Sequence, residues 1–142
     1  MHADNKKEIS FTSTVRVRFS ETDPLGIVWH GHYIQYFEDA REAFGREHSL
    51  SYLDHKKHGF SCPIVKSSCE HKLPLRYGDI ATIKATFINS AAAKMIFRYK
   101  IYDPEERLVC TGETVQVFLN ENGELSLTAP GFFKDWKDKM EL

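Results

Sequence analysis

Neither sign of charge dominates this chain: 19 lysines and arginines face 20 aspartates and glutamates, a formal net charge of −1. That balance lacks the electrostatic footprint that draws a protein to nucleic acid or to an anionic membrane, so neither partner is expected. No apolar run approaches the roughly 20 residues needed to cross a bilayer, which predicts no membrane span. Cysteine is scarce and odd in number: Cys62, Cys69 and Cys110 show no CxxC spacing. They read as reduced, mostly buried thiols and not as a disulfide frame, which favours the cytoplasm. The opening MHADNKKEIS has no apolar stretch of the kind a secretory signal needs. Seven histidines are scattered apart from His30-Gly31-His32. Two histidines without a third ligand nearby do not define a metal site, and none is expected.

What is present is an ordinary globular balance, 42% hydrophobic and 27% charged over 142 residues. That length fits one domain, residues 1–142, with a real core. No repeat, low-complexity segment or linker interrupts it. The segment 14-TVRVRFS-20 alternates strictly, with Val15, Val17 and Phe19 on one face, and predicts a half-buried strand. The loop 21-ETDPLGI-27 follows, broken by Pro24 and Gly26. From about Gly31 to Arg46 the period becomes helical: Tyr33, Phe37, Ala40 and Phe44 recur on one face, widened by Tyr36 and Ala43. A short helix over 49–58 is expected to start at Ser49 as its cap and to end at Gly59.

Beyond that point the chain reads as strands. Residues 63–73 are extended, 74-PLRYGD-79 turns, and 80-IATIKATFI-88 and 95-MIFRYKIY-102 alternate. The stretch 108-LVCTGETVQVFL-119 is a long strand that ends at the turn NENG, residues 120–123. A short strand at 125–127 and an amphipathic helix at 132–140 complete the pattern. One strand, one unusually apolar helix and several antiparallel strands define an α+β class in which one layer of sheet wraps one helix. A single sheet leaves edges and an outer face uncovered, so self-association is expected.

The chemistry concentrates in 20-SETDPLGIVWHGHYIQYFEDAREAF-44. Singly, each residue has a plain structural role. Asp23 before Pro24 opens a turn, His30 caps or packs a helix, and Glu38 with Arg41 forms a solvated i,i+3 pair. Together they suit acyl transfer. The first amides of a helix point outward unpaired and carry partial positive charge, and Gly31 has no side chain to block them. A carbonyl oxygen held there gains stabilisation as it becomes an oxyanion. Asp23, in the same bent loop, could activate water or attack the carbonyl carbon directly. No serine, cysteine or metal is required.

The stretch TDPLGIVWHGHYIQYFEDAR closely resembles the helix-start motif of the 4-hydroxybenzoyl-CoA thioesterase family of hotdog-fold proteins. The matching residues are Asp23, Pro24, Gly26, Ile27, Val28, Trp29, His30, Tyr33, Glu38 and Arg41. A second match is 74-PLRYGD-79, and the likeness covers roughly residues 11 to 130. The resemblance implies a hotdog fold, one curved antiparallel sheet around a long central helix. It also implies hydrolysis of a small or medium acyl-CoA thioester, aliphatic or aromatic. Asp23 would be the catalytic carboxylate, and His30 would offer its backbone amide, with a ring that can assist. Gly31 and Tyr33 would contact substrate. Coenzyme A would be part of the substrate, not a bound cofactor, and no cofactor is implied. The resemblance further implies a homo-oligomer, at least a dimer and as two dimers a tetramer, with pantetheine between subunits. Position 30 is histidine, as in the aliphatic branch, whereas Asp23-Pro24 is closer to the hydroxybenzoyl branch; His32 stands where many relatives have Asn. Lys66, Lys72, Arg76, Lys94 and Arg98 are candidates for the CoA phosphates. Two other classes stay open on sequence: a hotdog hydratase or dehydratase using His30 with Glu38, and a non-catalytic acyl-thioester binder.

Overall fold

The computed structural model describes residues 8–142. The polar stretch 1–7, part of the reading against a leader peptide, lies outside the described residues. Five strands form one antiparallel sheet: β1 (Ile9–Arg16), β2 (Ile64–His71), β3 (Ile80–Ile88), β4 (Lys94–Tyr102) and β5 (Leu108–Val117). Their order is β1-β3-β4-β5-β2. The central helix α1 (His32–His48) lies against the sheet; α2 (Tyr52–Lys57) and α3 (Gly131–Lys139) are shorter.

The side-chain alternation of the strands decides which face meets the helix. Along β3, Ala81, Ile83, Ala85 and Phe87 are buried, and along β4, Met95, Phe97, Tyr99 and Ile101. The intervening outward positions include Thr82, Lys84 and Thr86, paired across the ladder with Tyr102, Lys100 and Arg98. Onto the buried face α1 sets Tyr33, Tyr36, Phe37, Ala40 and Phe44. Phe37 stacks on Tyr99 at 4.5 Å with ring planes 10° apart. Phe44 meets Phe97 edge-on at 5.0 Å. At the far end, α3 closes the core: the Trp136 indole donates to the His48 carbonyl at 2.6 Å, and its ring packs on Phe87 at 4.9 Å.

Close approach at the middle of α1 depends on one absent side chain. A Cβ at Gly112 in β5 would lie 2.2 Å from the Phe37 ring. Any larger residue there forces the Phe37 ring or the strands beside it to shift.

Three expectations from the sequence are corrected. The first strand begins at Ile9 and ends at Arg16, and Phe19 is 77% exposed in a short 3-10 turn, Phe19–Glu21. The Glu21 carboxylate accepts from the Arg18 amide at 2.8 Å, which bends the chain so that Glu21, not Phe19, enters the interior. Ser49 does not cap α2; it takes a left-handed conformation, φ 60°, that closes α1. The cap is Ser51, whose amide donates to Asp54 Oδ2 at 2.7 Å while its hydroxyl accepts from the Asp54 amide. The stretch 125–127 is not a strand: Leu125 bridges only to Leu119, and Leu127 is 85% exposed.

The sheet class, the long helix and the remaining strands stand where the alternation placed them, in a curved antiparallel sheet around α1. Gly112→Ala should destabilise the protein by about 1–3 kcal/mol through overpacking against Phe37. Urea unfolding of the variant checks this; an unchanged midpoint would mean that the helix is free to shift.

Candidate active site

The loop before α1 is held on both sides. Asp23 opens a turn in which its carbonyl accepts from the Gly26 amide at 2.9 Å, and its own amide donates to the Ile27 carbonyl at 2.9 Å. Gly26 supplies the left-handed φ of 78° that this closure requires. Thr22 bridges to Val28, and the Trp29 amide donates to the Glu21 carbonyl at 2.9 Å. The turn 74–79 forms the second wall: the Val28 amide donates to the Leu75 carbonyl at 2.8 Å, and Ile27 bridges to Arg76. That turn is itself closed by Asp79, which accepts from the Arg76 amide at 2.9 Å.

Two tyrosines of α1 lock the loop to the helix. Tyr36 donates to Glu21 Oε1 at 2.9 Å. Burial, reinforced by this carboxylate, raises the Tyr36 pKa far above the ordinary phenol value, so the hydroxyl stays a donor. Tyr33 is buried, and its hydroxyl accepts from the Leu75 amide at 3.2 Å. Tyr33, expected to contact substrate, braces the 74–79 turn through this bond. In the sequence, Glu21 is one more residue of the loop 21–27. Its only sequence signal is an acid just after an alternating strand, which is commonplace; the partner that makes it structural lies 15 residues away.

Asp23 is half-buried. Its Oδ1 accepts from the Leu25 amide at 2.8 Å, the turn-opening role, and Oδ2 has no hydrogen-bond partner among the described residues. At the helix start, the His32 amide donates to the Trp29 carbonyl at 2.9 Å, whereas the His30 and Gly31 amides have no acceptor among the described residues. Gly31 is the residue at the cap of α1, and a Cβ on it would meet the Trp29 ring at 2.1 Å. The indole thus lies alongside the first turn because position 31 is glycine. The His30 ring packs 4.9 Å from Trp29 and 6.4 Å from His71, and no hydrogen bond or ion pair joins it to Asp23.

His71, at the end of β2, was one of the scattered histidines in the sequence. It lies 5.1 Å from the Tyr33 ring, and its Nδ1 is 3.8 Å from Cys69 Sγ. No local motif marks it, since only sheet pairing carries the end of β2 to the start of α1. All three cysteines are free, with Cys110 buried and the others half-buried. Among the phosphate candidates, Lys72 is paired with Glu70 at 3.1 Å and Arg98 with Glu113 at 3.0 Å. Arg76 stands on the turn that walls the loop. Glu38, required by a dehydratase reading, lies further along α1, exposed and 3.4 Å from Arg41.

A carboxylate oxygen and two helix-start amides, none with a partner among the described residues, thus lie on one clamped loop. A model of the thioesterase-like superfamily matches residues 17–136, and the chain belongs to that superfamily. "Putative acyl-CoA thioesterase YneP" of Bacillus subtilis is 29% identical over 141 residues, covering 99% of this chain and 97% of that protein. "Acyl-CoA thioester hydrolase YbgC" of Escherichia coli O157:H7 is 26% identical over 107 residues, 75% of this chain and 80% of that one. Among solved structures, a DHNA-CoA thioesterase from Staphylococcus aureus superposes with a TM-score of 0.84 at 23% identity, covering 93% of this chain and 89% of the other. The 4-hydroxybenzoyl-CoA thioesterase from Pseudomonas sp. strain CBS-3 superposes at 0.77, with 23% identity and coverage of 89% and 98%. The fold is the hotdog, and the protein is an enzyme of the thioesterase-like superfamily.

Tyr36→Phe should cost about 1–3 kcal/mol, because it leaves the buried Glu21 carboxylate short of a donor. Chemical denaturation measures it; a change within error would show that the carboxylate finds water instead.

Proposed function

We propose that residues 1–142 act as a single hotdog domain that hydrolyses a small or medium acyl-CoA thioester, aliphatic or aromatic, to the free acid and CoA. Asp23 is the reacting carboxylate, and the amides at the start of α1 receive the thioester oxygen. The observation that carries this reading is the loop itself. Its backbone is pinned to 74–79 and to Glu21, yet the His30 and Gly31 amides and one Asp23 oxygen have no partner among the described residues.

The chemistry follows from charge. As the carbonyl carbon is attacked, negative charge moves to its oxygen, and amide dipoles fixed beforehand stabilise it without reorganising. Asp23 either takes a proton from the attacking water or forms an acyl-carboxylate that water then cleaves. CoA leaves as the thiol and no resident cofactor takes part. His30 contributes mainly through its backbone, and its ring borders the acyl group. Gly31 keeps the amides approachable.

Several exposed apolar side chains surround this loop: Phe19, Leu25, Trp29 and Tyr77, the first and second each 77% exposed. β2 is an edge strand, paired only to β5, with Val65 57% exposed on it. These features support a homodimer or a tetramer of hotdog subunits in which a second copy supplies the missing wall of the site. Arg76 is the basic residue best placed to meet CoA phosphates near the loop. The odd number of cysteines supports the cytoplasm as the compartment.

Asp23→Asn should lower kcat by about 10²–10⁴-fold with substrate binding retained. His30→Ala should be much milder. Free-thiol release across aliphatic and aromatic CoA thioesters reads both variants. Near wild-type turnover in Asp23→Asn would remove the assignment, and an equal collapse in a folded His30→Ala would transfer the main role to the ring.

A further inference from the structure

The loop that carries Asp23 is a small antiparallel ladder. Thr22 bridges to Val28, the Asp23 amide donates to the Ile27 carbonyl at 2.9 Å, and the Trp29 amide donates to the Glu21 carbonyl at 2.9 Å. Glu21 and Trp29 therefore close the base of the ladder. Asp23 lies two residues beyond Glu21, and the His30 and Gly31 amides directly follow Trp29. Both groups proposed to meet the thioester thus hang from this one pair.

Glu21 is also where the ladder meets the helix. It is 8% exposed. Its Oε1 accepts from the Arg18 amide at 2.8 Å and from the Tyr36 hydroxyl at 2.9 Å. An apolar side chain could fill that space without the cost of taking a carboxylate out of water. What the carboxylate adds is a directed bond from the body of α1 to the base of the loop. Tyr36 lies one turn past His32, the first residue of α1. Helical side chains lean toward the N-terminus, so its ring reaches back over the first turn. The Tyr33 ring meets it edge-on, with centroids 5.9 Å and planes 87° apart. Tyr36 is fully enclosed, and this contact leaves its hydroxyl little freedom of aim.

Given the roles proposed for Asp23 and for the His30 and Gly31 amides, we infer that Tyr36, acting through Glu21, is a positioning residue for the hydrolysis. Donors stabilise an oxyanion only when they lie about 2.7–3.1 Å from it. A displacement of about 1 Å costs on the order of 10²-fold in rate. The Glu21–Tyr36 bond fixes the ladder against the helix from which those amides project. The bond acts on geometry and leaves substrate affinity to other residues.

Hydrogen exchange at the Trp29 amide reads the tie, and steady-state thioester hydrolysis reads its consequence. In Tyr36→Phe, Trp29 exchange relative to the amides of the β3–β4 ladder should rise about tenfold. Its kcat should fall about tenfold, with KM within about twofold of wild type. Glu21→Gln keeps a side-chain oxygen for the Tyr36 hydroxyl and should retain most of the wild-type kcat. Glu21→Leu should match Tyr36→Phe, and combining the two should be no worse than Glu21→Leu alone, as for residues acting as one unit. Thr114→Val removes another buried bond, 2.6 Å to the Tyr99 hydroxyl between β5 and β4, and should lose stability but not kcat. An unchanged exchange ratio or a near wild-type kcat in Tyr36→Phe overturns the proposal. So does an equal kcat loss in Thr114→Val, or additive losses in the double variant. The exchange ratio needs no turnover and judges the tie separately from Asp23. Near wild-type turnover in Asp23→Asn would remove the reaction assignment and leave that ratio as it was.

Discussion

Phe37 lying flat on Tyr99, over a strand position with no side chain, is the contact on which the site depends. It sets how deep α1 sits in the curl of the sheet. Aromatic stacking at this distance adds to an already large burial of apolar area. Once the middle of the helix is fixed, its first turn has little freedom. Tyr33, one turn before Phe37, and Tyr36, next to it, then reach Leu75 and Glu21 and carry the constraint outward to the loop.

That chain of contacts explains how a surface loop can be both rigid and electrostatically unsatisfied. Most backbone groups of residues 21–29 that the fold could leave open are used to bind the loop to itself or to the 74–79 turn. At the start of α1, helical geometry itself leaves amides unpaired. Preorganised donors cost no rearrangement when charge develops, which is the physical advantage of building the site on a clamped turn and a buried helix. One Asp23 carboxylate oxygen shapes the turn, and the other has no hydrogen-bond partner among the described residues.

The molecule divides along α1. Near its start lie histidine and tryptophan rings, exposed apolar side chains and the open edge of β2, features that suit a site completed by another copy. Further along, the helix turns acidic toward solvent at Glu38, Asp39 and Glu42, which border a groove against β4 and β5. One helix thus presents two chemical environments because successive turns face different neighbours.

The sequence by itself determined the periodic parts. Alternation located β3 and β4, the helical stripe from Tyr33 to Phe44 located α1, and Asp23-Pro24 with Gly26 located the turn. These signals are local, since each follows from residues within a few positions of one another. The tertiary structure alone decided that Glu21 goes inside and Phe19 outside, because the acceptor that draws Arg18 and the donor from Tyr36 meet only after the helix docks. It alone brought His71 beside His30, made Tyr33 a brace, and set Gln116 opposite Cys62 across 54 residues. Side-chain periodicity can say which face of an element is apolar. It cannot say which distant polar atom will complete a buried carboxylate, and that partnership is made only when the sheet closes around the helix.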